Sequence, residues 1–141
     1  MEKSDAEIEA LTNEVIGGGI EVHREFGPGL LESIYQECLV IVLRRAGIQV
    51  EIEKLIRISF QGQRLNTRLK IDLLVGGCII VELKAVDRLH PVHSAQVITY
   101  LKLTGFPVGL LMNFNATTLK AGLKRLDHPS RFLKKFLPPT P

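Results

Sequence analysis

The chain has 141 residues, of which 45% are hydrophobic and 23% charged, with a net charge of +3, the make-up of one globular domain with a substantial core. No apolar run reaches the roughly 18 residues of a membrane span, and the acidic start MEKSDAEIEAL lacks a signal core, so a cytoplasmic protein is expected rather than a secreted or membrane one. Cys38 and Cys78 lack C-x-x-C spacing and read as structural thiols of a reducing compartment, not as zinc ligands or a disulfide.

Residues 5–25 read as a helix through Ile8, Leu11, Val15 and Val22. Gly17-Gly18-Gly19 interrupts it, and each glycine costs about 1 kcal/mol against alanine. Either close packing needs bare backbone there, or the helix bends. FGPG (26–29) is a breaker, and a second helix runs from Leu30 to Arg45, ending at Gly47. Leu31, Ile34, Cys38 and Val42 read as its core stripe, with Glu32 beside Tyr35, Gln36 and Leu39. Glu32 suits the helix N-terminus as a dipole-favoured carboxylate, or a metal site as a third acid.

A strand follows over 48–60, with a change of apolar phase after Lys54 that implies a bulge or bend. A turn at Gln61-Gly62 leads to the hairpin IDLLVGGCIIVELKAV (71–86). Pro91 opens a helix to about Thr104, PVGLLMNF (107–114) reads as a buried strand, and 116–126 as a closing helix. The expected architecture is an α/β mixed central sheet flanked by helices, with residues 1–126 as one domain and 127–141 as a basic, Pro-rich tail.

The hairpin carries Asp72, Glu82 and Lys84 where its pattern promises core, and buried charge is costly unless paired or metal-bound. Ile80, Glu82 and Lys84 share one face, and Asp72 shares its own with Lys70 and Leu74. A two-residue Gly76-Gly77 turn would put Asp72 and Glu82 on opposite faces. A three-residue loop, Val75-Gly76-Gly77, would pair Leu74 with Cys78 and set Asp72 diagonal to Glu82, and this odd-length loop is the expectation. Two converging carboxylates beside a lysine suit Mg²⁺ or Mn²⁺. Lys84 would then hold or activate a water, or stabilise charge on a phosphate. The competing reading is an inward ion-pair cluster of both acids with Lys84 and Lys70. On the following helix His93, Gln96 and Tyr100 share a face; His93 alone reads as structural.

GPGLLESIY carries G-x-x-E-x-x-Y as Gly29, Glu32 and Tyr35. With IDLLV, IIVELKAV, PVHSAQVITYLKLTG and GLLMNF in order, the chain resembles the GxxExxY protein family of the PD-(D/E)XK nuclease superfamily over roughly residues 14–126. That resemblance implies an αβββαβ core. It implies Asp72, Glu82 and the Leu83 carbonyl as metal ligands and Lys84 as the catalytic lysine. Glu32 resembles the acid on the first core helix, and Gln96 with Tyr100 the Q-x3-Y motif of recombination-type exonucleases. Ile71 replaces the name-giving proline, and Lys70 stands where relatives carry Arg.

The expected function is a Mg²⁺- or Mn²⁺-dependent nuclease, with DNA favoured over RNA and no membrane partner. The rival is a non-catalytic nucleic-acid-binding or assembly module on the same fold; a structural salt-bridge cluster is a third reading. A chain this small leaves little room for a specificity domain, so a homodimer or a partner is expected to complete the substrate site. The basic residues from Lys120 to Lys135 are candidates for added phosphate contacts.

Overall fold

The computed structural model describes residues 2–131. Two helices come first, α1 (Asp5–Phe26) and α2 (Glu32–Arg45), then strands β1 (Val50–Phe60), β2 (Gln63–Val75) and β3 (Ile79–Lys84). Helix α3 (Pro91–Thr104), β4 (Val108–Asn113), a 3-10 turn (Lys120–Gly122) and β5 (Leu123–Asp127) complete the chain. The strands form one mixed sheet in the order β1-β2-β3-β4-β5, antiparallel except for β3 and β4, which α3 joins in parallel.

Alternation along β3 divides the interior. Ile79, Val81 and Leu83 face a large core built with α1 and α2, while Ile80 joins Ile71 and Leu101 in a smaller core under α3. Ser4 and Glu7 form a capping box that starts α1. Proline opens α3, and left-handed Gly105 ends it.

The triple glycine resolves in favour of packing, since α1 runs through it unbroken. A Cβ on Gly19 would stand 2.7 Å from Leu119 Cδ2, and one on Gly18 3.1 Å from Leu43 Cδ2, whereas one on Gly17 would meet nothing within 4 Å. Gly17→Ala is therefore expected to raise the thermal midpoint, by roughly 1 kcal/mol of helix propensity. A lower midpoint would mean that Gly17 also has a packing role.

Three expectations need correction. The closing helix over 116–126 is instead a 3-10 turn and β5, antiparallel to β4. Leu123 packs on the large core and Leu126 on the small one; an odd separation reaches opposite faces of a strand, as these two leucines require. The core stripe of α2 is Tyr35, Leu39, Val40 and Leu43; of the expected stripe, Cys38 and Val42 pack partly buried against the large core, while Leu31 is 70% exposed as the N-cap. The change of phase in β1 comes at Glu53, whose φ of 50° is left-handed, and a register shift follows between Arg57 and Ser59.

Candidate active site

The loop between β2 and β3 has three residues, as expected, but displaced by one. Val75 faces Ile79, so the loop is Gly76-Gly77-Cys78, with both glycines at positive φ. The expected pairing of Leu74 with Cys78 is replaced by Leu74 with Ile80. Counted onward, this register puts Asp72 directly opposite Glu82 rather than diagonal to it.

At that point the ladder passes from backbone to side chains. The Asp72 N–H donates to Glu82 Oε1 at 3.2 Å, and the Leu83 N–H donates to Asp72 Oδ2 at 3.0 Å. Each acid is thus held by the strand that carries the other. The alternation of β2 also breaks at Asp72: Leu73 packs in the large core, but Ile71 packs in the small one. Asp72 therefore does not keep Lys70 and Leu74 on a common face. Across the ladder, between the pairs Ile52–Leu73 and Lys54–Ile71, sits left-handed Glu53. The hairpin turns over at its carboxylate.

Glu82 is buried, only 5% exposed, and Asp72 is half-buried. Desolvation first, and then the neighbouring Asp72 charge, push the Glu82 carboxyl up to about 9. Among the described residues, neither Lys84 nor Lys70 lies within ion-pair distance of either acid, although both the Lys84 and the Lys70 charges act on Glu32. The inward salt-bridge cluster is therefore not what the hairpin builds. Two carboxylates face each other with no ammonium between them.

Glu32 is the first helical residue of α2, exposed at its tip. Desolvation and the Asp72 charge raise its carboxyl, against Lys84 and Lys70. It adjoins the pair without joining it, and among the described residues no three His, Cys, Asp or Glu side chains form a metal cage. On the other side, Lys84, His93 and Gln96 line one open pocket of about 500 Å³. Tyr100 is half-buried beside Gln96, and desolvation followed by the Glu82 and Asp72 charges raises its hydroxyl. His93 Nδ1 accepts the His90 N–H at 3.0 Å and so secures the start of α3.

Two residues have supporting roles that the sequence does not reveal: Tyr35, legible there only as part of the G-x-x-E-x-x-Y spacing, and Asn113. Tyr35 is fully buried, stacks on Phe114 at 4.7 Å, donates its hydroxyl to the Gly27 carbonyl at 2.6 Å and accepts the Leu30 N–H at 3.0 Å. It ties down the FGPG loop that aims Glu32, which gives the spacing of Gly29, Glu32 and Tyr35 a physical purpose. Tyr35→Phe leaves both loop groups without that partner and is expected to cost about 1–3 kcal/mol in denaturant unfolding. An unchanged midpoint would remove the tether. Asn113 is also buried: its Oδ1 accepts the Val86 N–H at 3.1 Å and its Nδ2 donates to the Val86 carbonyl at 2.9 Å. This clamp fixes the chain just beyond Lys84, and only the polarity of Asn113 within an apolar strand could have signalled it.

The basic C-terminal segment is partly neutralised. Arg125 pairs with Glu9 and Asp127, and Arg131 with Asp5 and Asp127; residues 132–141, with Lys134 and Lys135, lie outside the described residues. No described helix is long and apolar enough to cross a membrane.

Compared with known proteins, residues 9–126 match a family model described as the PD-(D/E)XK nuclease superfamily. No curated protein and no solved structure matches the chain.

Proposed function

Because the chain belongs to the PD-(D/E)XK nuclease superfamily, we propose that it is a divalent-metal-dependent phosphodiester hydrolase acting on nucleic acid. The observation that carries this reading is the meeting of Asp72 with buried Glu82 without an intervening lysine. Such a pair is costly when ionised and gains from a cation. The donor set fits Mg²⁺ or Mn²⁺, since hard oxygen ligands from one or two carboxylates, completed by waters, are what Mg²⁺ prefers. Asp72, Glu82 and the Leu83 carbonyl would hold the ion, which supplies an activated water and neutralises charge developing on the phosphate.

The chain's own residues do the positioning. Asp72 is fixed by the Leu83 N–H and Glu82 by the Asp72 N–H, so neither carboxylate needs to reorganise. Lys84, half-buried at the end of β3 and without an ion-pair partner among the described residues, orients the attacking water or bonds a phosphate oxygen. From α3, Gln96 lines the pocket with Lys84 and Tyr100 lies beside Gln96, where the Glu82 and Asp72 charges act on it; these two side chains hold the water or the phosphate. Glu32 approaches from the opposite side at the α2 terminus.

Incubation of the purified protein with single- and double-stranded DNA and RNA, with and without Mg²⁺ or Mn²⁺, tests the proposal. Cleavage that needs the metal and disappears in Glu82→Ala supports it; cleavage untouched by that substitution contradicts it.

A further inference from the structure

β1 and β2 are far longer than the sheet they join. β3 pairs with β2 only from Leu73 to Val75, so Lys54–Phe60 and Gln63–Ile71 continue as a two-stranded ribbon. The ribbon extends about 20 Å beyond the turnover at Asp72. One face of its base, Ile56, Leu69 and Ile71, packs on the small core. The other face shows Leu55 opposite Lys70 and Arg57 opposite Arg68, all exposed. Arg64 follows toward the tip.

Like charges directly opposite each other on a ladder are destabilising. Among the described residues, Arg57, Arg64, Arg68 and Lys70 have no ion-pair partner, whereas neighbouring Lys54 is paired with Glu51 at 2.8 Å. The row starts beside the acid pair, where Lys70 acts on Glu32, and runs outward from it. Its charge complements a polyanion. The only aromatic side chain on the ribbon is Phe60 at the tip, and single-strand binders depend on stacking aromatics. A two-stranded ribbon fits the major groove of B-form DNA, while the A-form major groove of RNA is too narrow to admit side chains.

We propose that the outer face of the β1–β2 ribbon, through Arg57, Arg68 and Lys70, is the docking surface for double-stranded DNA. The proposal rests on the nuclease reading and deepens it by naming the substrate class and the side from which it approaches.

Binding of a fluorescent DNA duplex by anisotropy, in chelator so that nothing is cleaved, tests it in the wild type and in the double variant Arg57→Ala/Arg68→Ala. The variant is expected to bind about 10-fold or more weakly, with a salt slope reduced by about 2. Its thermal midpoint should be equal or higher, since a like-charge pair is gone. Equal affinity and slope in the two proteins overturn the proposal, as does tighter binding of single-stranded DNA or RNA than of duplex. A wild type that binds no nucleic acid, but whose dimer dissociates in the variant, overturns it in favour of self-association. Calorimetry with Mn²⁺ separates the two readings: loss of duplex binding in a protein that never binds metal would uphold the docking surface and sink the metal centre.

Discussion

Lys84→Met is expected to lower metal-dependent cleavage by about 10²–10³-fold while leaving the unfolding midpoint close to that of the wild type. The rate loss is the usual consequence of removing one preorganised charged donor from a reacting phosphate. Stability should hardly move, because Lys84 is half-buried and has no ion-pair partner among the described residues, and methionine keeps the apolar stem. A structural lysine would show the reverse, a fallen midpoint with cleavage in proportion to folded protein. The rival reading, a binding module on a nuclease fold, predicts duplex binding with no cleavage by either protein. Gln96→Ala, which removes a neutral side chain from the pocket that Lys84 lines, should cost less than Lys84→Met in the same assay.

The second large effect is on stability. Glu82 retains its proton in the fold up to about 9, while in the unfolded chain it ionises near 4.5. Between those values the native state binds the extra proton, so metal-free stability falls as pH rises, by up to about 1.4 kcal/mol for each pH unit. Glu32, also raised, acts in the same direction but more weakly because it is exposed. Below the window both states are protonated, and the slope vanishes. Glu82→Gln has no proton to lose and should flatten most of the decline, giving the more stable metal-free protein at pH 8. Saturating Mn²⁺ should rescue the wild type at pH 8 and not the variant, because the ion binds the deprotonated pair. Parallel pH dependences for the two proteins in chelator would show that Glu82 ionises freely, and the buried-pair account would fail.

The superfamily core was readable wherever local pattern and tertiary demand coincided. Pro91 marked the start of α3, the odd loop brought Asp72 to Glu82, and the run at 108–113 was a buried strand. Legibility ended where the residues serve two layers at once. Leu119, Leu123 and Leu126 have helical spacing, yet Leu123 and Leu126 pack in different cores, which a helix over those positions would not allow and β5 does. Leu31 looked like a core residue, but the tyrosine four positions on took the buried place, because its hydroxyl secures Gly27 and Leu30 as well. The turnover at Asp72 leaves no mark in β2 itself, and its counterpart in β1 is a glutamate in a left-handed conformation that glutamate does not favour. Strain of that kind beside a candidate active site is consistent with a conformation imposed by the surrounding fold.

Isothermal titration of the purified protein with Mn²⁺ near pH 8, wild type against Asp72→Asn, tests the metal centre most directly because it needs no substrate. Asparagine keeps the size of the side chain and an oxygen to accept the Leu83 N–H, so the hairpin should survive and only the charge is lost. The account predicts saturable binding of Mn²⁺ by the wild type and none by Asp72→Asn at the same metal concentrations. Equal heats from the two proteins, or no binding by the wild type at millimolar Mn²⁺, would contradict it.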